Sequence, residues 1–179
     1  NIATGTINDA RLPVTQTGKT FSSDITVNSF AVGRGGGNSE TNLAIAGGQA
    51  ISTGTDNVIV GIGSGAGIIT GTDNVAFGND ALAALTSATN NTAIGNDSQA
   101  QRTSVGSFNT SLGSQSMSNS TAGSNNAAVG YQALELVTGS NNVGIGSVAG
   151  DTLTSGSNNI IIGYNAQPSA STISNEITI

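Results

Sequence analysis

An eight-residue phrase, GTDNVIVG at 54–61, returns seventeen residues later as GTDNVAFG at 71–78. With its Asn as origin, the phrase recurs at Asn42, Asn57, Asn74, Asn91, Asn109, Asn126, Asn142 and Asn159, in steps of 15 to 18 residues. Four positions after the Asn stands Gly in seven of the eight copies, with Ala46 in the first. The third position is always apolar: Ile45, Val60, Phe77, Ile94, Leu112, Val129, Ile145 and Ile162. A unit this short cannot bury an apolar face by itself. A sustained period near seventeen therefore specifies a solenoid in which neighbouring units complete one another's core.

The three residues between Asn and Gly, such as Val58-Ile59-Val60 or Ile160-Ile161-Ile162, are rich in β-branched types and read as very short strands. Strand alternation separates the first and third positions from the second. The larger set, Leu43/Ile45, Val58/Val60, Val75/Phe77, Val143/Ile145 and Ile160/Ile162, is expected to line the inside of the coil. The second-position column, Ala44, Ile59, Ala76, Ala93, Ser111, Ala128, Gly144 and Ile161, is expected to face outward. Being small and mostly apolar, that column suggests close packing against another chain. A weaker apolar segment after the Gly, as in Ala81-Leu82 and Ala133-Leu134, is expected to form a return strand. The eight Asn residues are expected to define the turns.

The expected fold is all-β: a parallel β-solenoid, or β-roll, of about eight short coils. At about 4.8 Å per rung the stack would be roughly 40 Å long, with the Asn side chains forming an amide ladder. Residues 29–167 hold the repeat. Residues 1–28, polar and interrupted by Pro13, are expected to be an N-terminal shaft or linker segment. Residues 168–179 leave through Pro168 and end in SNEITI, an expected exit strand leading to a C-terminal module outside this sequence. A start at Asn1 rather than Met fits a piece of a longer product.

Composition narrows function by exclusion. Regular spacing of β-branched residues separates this Gly-, Asn- and Ser-rich chain from a disordered tract. The net charge is −6, and Arg11, Lys19, Arg34 and Arg102 are the only cations. That disfavours nucleic acid and anionic membranes as partners, because phosphate binding needs clustered Lys and Arg. A spanning segment would need some eighteen consecutive apolar residues, which the chain lacks. Without Cys or His, the common nucleophile and base pairs cannot be assembled.

The remaining chemical candidates have structural explanations. Asp56 and Asp73 share the slot before the Asn, and stacked carboxylates near 5 Å would suit a retaining glycosidase. Asn90, Asn125, Asn141 and Asn158 occupy the same slot, which marks it as a turn position. Asp80 and Asp97 share another slot but are too few oxygens for Ca²⁺. GRGGGN at 33–38 lacks the Lys-Ser/Thr and the helix of a phosphate loop. The hydroxyl rank Thr55, Thr72, Thr89, Ser107, Ser124, Ser140 and Ser157 is one column wide and decays to Ser, unlike an ice-ordering array. Tyr131 and Tyr164, in the slot after the Gly, are candidate glycan contacts, with corner packing as the alternative. No catalytic residue, cofactor or metal is expected.

The units NNTAIGNDSQA, NNAAVGYQALELVTGSNNVGIG and SNNIIIGYNAQ resemble the head repeats of trimeric autotransporter adhesins and, more closely, the NN-apolar-x-apolar-G-Y-x-A-L repeats of bacteriophage tail fibres. The likeness covers about 29–167. GTINDARLP resembles the linker repeats of fibre shafts, and SNEITI the strand that precedes a C-terminal chaperone. The resemblance implies a homotrimer of parallel β-rolls, left-handed in the adhesin heads, located in the virion tail fibre. It implies a structural or adhesive role that extends or presents the host receptor-binding region, with a host-surface glycan or protein as partner. The alternative is the head of a bacterial trimeric adhesin on the outer surface.

Overall fold

The computed structural model describes residues 25–27, 30–33, 42–45, 53–84, 86–100, 106–121 and 123–179. The described residues form one eleven-stranded sheet whose strands neighbour each other in chain order. Strands β1 (Ile25–Val27) and β2 (Phe30–Gly33) pair antiparallel, and β2 pairs antiparallel with β3 (Leu43–Ile45). From there every pairing is parallel: β4 (Val58–Val60), β5 (Val75–Phe77), β6 (Thr92–Ile94), β7 (Thr110–Leu112), β8 (Ala127–Val129), β9 (Val143–Ile145), β10 (Ile160–Ile162) and β11 (Ile177–Thr178). The register never slips, so Val58 pairs with Val75, Val75 with Thr92, and Thr92 with Thr110. The chain is a parallel β-solenoid, as the repeat predicts. Ile177–Thr178, in the segment expected to exit, pairs in the same register and adds a rung.

Each rung contributes one strand rather than two. The apolar segment expected as a return strand is instead a run of overlapping tight turns among the described residues. In the rung of Asn109, the N–H of Ser116 donates to the carbonyl of Gly113, Ser118 to Gln115 and Ser120 to Met117. Gln115 (φ 56°) and Met117 (φ 52°) occupy the third positions of the first two turns. This i→i+3 bond with positive φ at the third residue is the type II turn signature. Two strands per seventeen residues would have needed extended backbone where the chain curls.

The Gly four residues after the Asn begins this run, and the reason for its recurrence is geometric. Its φ lies between 130° and 140° in the seven described copies, a region open essentially to Gly alone. The neighbouring rung also leaves no space: a Cβ on Gly95 would lie 2.5 Å from the carbonyl oxygen of Gly113. Ala46, the exception, lies outside the described residues.

The interior is narrow and reverses the strand parity expected from sequence. The second-position residues Ile59, Ala76, Ala93, Ser111, Ala128, Gly144 and Ile161 point inward, all buried apart from the half-buried Ala44 of the first rung. The larger first- and third-position residues point out. A rung whose turn path folds back under its strand has room for an Ala more readily than for a Val. Size is matched along the stack. Ile59 faces Gly65, where a Cβ would meet its Cδ1 at 2.9 Å. Leu134 fills the space beside Gly144, and Ile161 the space beside Gly150. Leu82 and Leu134, fully buried at φ near 50°, hold the left-handed conformation against its steric cost.

Between rungs runs the Asn ladder. Asn42, Asn57, Asn74, Asn91, Asn109, Asn126, Asn142 and Asn159 are all buried. The Oδ1 of each accepts the backbone N–H of the next, from Asn42–Asn57 at 2.8 Å to Asn142–Asn159 at 3.0 Å. Most Nδ2 groups then donate to a carbonyl of the following rung, as Asn57 to Gly71 (2.9 Å) and Asn142 to Gly156 (2.9 Å). These residues are not the turn residues expected. The positive-φ corner belongs to the preceding position: Asp56, Asp73, Asn90, Phe108, Asn125, Asn141 and Asn158, at φ 58–62°.

Removing one amide orphans several buried groups. Asn142→Ala leaves the N–H of Asn159 and the carbonyl of Gly156 without these partners, and each such loss costs about 1–3 kcal/mol. The expected outcome is a loss of roughly 2–4 kcal/mol. Chemical denaturation checks it, and the exposed Asn141→Ala should cost far less.

Candidate functional site: an apolar strand face with a tyrosine rim

The outward parity of the strands creates an apolar surface. Leu43, Val58, Phe77, Ile94, Leu112, Val129, Ile145 and Ile160 are all exposed, Phe77 to 55% and Leu112 to 45%. Half-buried Val60, Val75, Val143 and Ile162 fill the columns between them. Parallel pairing stacks equivalent residues one rung apart, so Val60, Phe77, Ile94, Leu112, Val129, Ile145 and Ile162 form one continuous column. An apolar stripe about 30 Å long results. Contiguous apolar surface of this extent marks an interaction site in a soluble protein. The small second-position column, from which an oligomer was expected, is buried in the chain's own core and cannot meet a partner.

One corner of this face carries the row Ile62, Asn79, Asn96, Ser114, Tyr131, Ser147 and Tyr164, the residues that follow each Gly. Ile62 is 70% exposed and Tyr164 is 83% exposed. Tyr131 is about half exposed. The rings are not packed into the corner; they project from the same row two rungs apart, roughly 10 Å at the sheet spacing.

The opposite corner bears the hydroxyl rank, whose Ser members are committed to the fold. Ser107 Oγ accepts the N–H of Thr89 (3.0 Å), and the same bond repeats from Ser107 to Ser124, Ser124 to Ser140, Ser140 to Ser157 and Ser157 to Ser174. The ladder runs opposite in polarity to the Asn ladder, the later rung supplying the acceptor. Hydroxyls held this way are structural, and their row is half-buried. Asp56 and Asp73 sit at the left-handed corner beside it, at φ 59° and 58°, in the role that Asn plays in other rungs. Asp80 and Asp97, at φ 51° and 52°, are the third residues of type II turns, interchangeable with Gln115, Gln132 and Asn165. Among the described residues no group of three or more His, Cys, Asp or Glu could hold a metal ion. GRGGGN lies outside the described residues apart from Gly33 at the end of β2. No helix among the described residues is long and apolar enough to cross a membrane.

Comparison with protein-family models, curated proteins and solved structures finds no match to this chain. The class defined by the fold and its surface is a single-sheet parallel β-solenoid with a continuous apolar strand face.

Sequence reading missed Glu176, which stands where the Asn would fall in the added rung. Its backbone N–H donates to Asn159 Oδ1 at 2.9 Å, so it receives the ladder. Its carboxylate does not point up the stack. It accepts from the hydroxyl of Ser169, the N–H of Ser169 (2.8 Å) and the hydroxyl of Thr178 (2.8 Å). These bonds, that of the Ser169 hydroxyl foremost, hold the carboxyl below its ordinary value. A depressed carboxyl pKa adds stability that is present above the ordinary value and is lost as pH falls through the folded one. Backbone exchange at Ile177–Thr178 should therefore speed up as pH drops below about 4, beyond the intrinsic pH dependence of exchange. Glu176→Gln should remove that added dependence; NMR-detected hydrogen exchange checks both.

Proposed function

We propose that this chain is a structural and adhesive segment of a phage tail fibre, a homotrimeric β-solenoid that extends or presents the host receptor-binding region in the virion. The observation that carries the reading is the apolar strand face. Its third-position column of Val, Ile, Leu and Phe has no cover among the described residues. A second copy of the same face is its natural complement, because rungs at one spacing can meet rungs at the same spacing along the whole rod. The number three comes from the resemblance to fibre and adhesin repeats. The body suits a rod: one sheet direction, rungs joined by ladders, and stability summed from neighbour to neighbour.

Exposure of Tyr131 and Tyr164 on one row supports an adhesive contribution from the segment itself. An exposed phenol offers a flat apolar face for a sugar ring and a hydroxyl for its polar edge. The partner is a host-surface glycan, met at the rim of the trimer.

Sedimentation equilibrium should give a particle of three times 17.5 kDa. A folded monomer at micromolar concentration would overturn the assembly. Phe77→Lys and Leu112→Lys, which place a charge on the strand face, should each weaken assembly roughly thirtyfold or more while the β circular dichroism is kept. For the adhesive part, Tyr164→Ala should weaken binding to host-surface glycan by roughly two- to tenfold without changing oligomeric state. Unchanged binding would leave the segment a shaft only.

A further inference from the structure

The described core is not continuous. One buried cluster gathers Ile59, Ile68, Ala76, Ala81, Leu82, Ala88 and Ala93; the other gathers Met117, Ala128, Ala133, Leu134, Val137, Ala149, Leu153 and Ile161. Between them the interior turns polar. Gln99 occupies the inward slot that holds Leu82, Met117 and Leu134 in neighbouring rungs, and it is fully buried. Its Nε2 donates to Ser111 Oγ (2.9 Å) and to the carbonyl of Thr92 (3.3 Å). Ser98 Oγ and Ser111 Oγ are 2.6 Å apart. The Oε1 of Gln99 has no hydrogen-bond partner among the described residues.

The adjoining rung is strained as well. Phe108 stands in the corner slot that Asp or Asn fills elsewhere, at φ 62° and 57% exposed. A bulky aromatic gains none of the local hydrogen bonding that makes this conformation tolerable for Asn and Asp. Gln99 itself lies at φ 47°. The longest step of the repeat, 18 residues from Asn91 to Asn109, spans the same place.

We infer that the rungs of Gln99 and Ser111 form a built-in weak joint, at which the stack opens before either flanking half. In a one-dimensional stack, stability is a sum of unit and interface terms, so one poor interface divides the rod into two cooperative blocks. At this interface an unpaired buried amide oxygen and a hydroxyl pair replace the aliphatic contact made on either side. The inference is independent of what the rod attaches to. It concerns how the body yields.

The test is hydrogen exchange on the full chain, read at equivalent amides. The N–H of Gln99, bonded to the Ser116 carbonyl, is compared with that of Leu134, bonded to the Ala149 carbonyl. Exchange at Gln99 and across 92–99 and 110–116 should be about tenfold or more faster than across 127–134. Gln99→Leu should slow it to the flanking rate and merge two unfolding steps into one. The reciprocal Leu134→Gln should create a second fast region around 127–134 and leave 92–99 unchanged. Uniform protection in the parent protein would overturn the inference. So would unchanged exchange at 92–99 in a folded Gln99→Leu protein.

Discussion

A buried primary amide that must bond in three directions organises this protein. Each ladder Asn accepts the backbone N–H of the next rung, and most return an Nδ2 bond to a carbonyl further along it. A buried polar group left unpaired costs more than a paired one contributes. The rungs therefore cannot drift apart or slip without orphaning every amide in the column. Register, rung spacing and the direction of the sheet follow from that requirement. The glycine four residues on completes it: at Gly61, Gly78, Gly95, Gly113, Gly130 and Gly146 backbone stacks on backbone and leaves no room for a Cβ.

The same tightness explains why the inside holds the smaller residues. Two layers of backbone, a strand and a folded-back run of turns, close around each rung with little volume between them. Alanine, serine and glycine fit opposite a single leucine, and an isoleucine fits only opposite a glycine, as Ile59 and Gly65 show. The larger first- and third-position residues of the strands, such as Val58, Phe77 and Leu112, have no place inside. They are displaced outward, where they form an apolar surface. An apolar outer face is thus a by-product of a rung too thin to bury its own first- and third-position residues.

Much of this was legible in the sequence, and the errors share one cause. Period, strand positions, the amide column and the parallel stack all follow from the spacing of Asn and Gly, because ladder bonds and positive φ are local demands that only particular residues meet. The direction of the strand faces was not legible by the same route. Hydrophobicity alone assigns Val58 and Val60 inward, whereas the deciding variable was volume, visible in the small second-position column but misread as an outer surface. The return strand failed for a related reason: Ala81-Leu82 looks extended in one dimension, yet Leu82 sits at φ 51° because tertiary packing holds it there. Tyr131 and Tyr164 were visible as candidates, but their place on a shared exposed row required the rungs to be stacked.

Among the described residues charge has almost no part in this cohesion. All four cations lie outside the described residues, and the acids in the described body are mostly corner residues chosen for their backbone. The cohesive terms are two hydrogen-bond ladders of opposite polarity, one from Asn and one from Ser, together with a thread of aliphatic contacts. The Asn ladder runs unbroken, but the thread does not: Ser98, Gln99 and Ser111 interrupt it while Asn91 Oδ1 still receives the N–H of Asn109 at 2.9 Å. Alignment and packing are therefore separable in this architecture. A rod can remain in register along its whole length while its interior strength varies from rung to rung, and the polar rungs near its middle are where the two properties part.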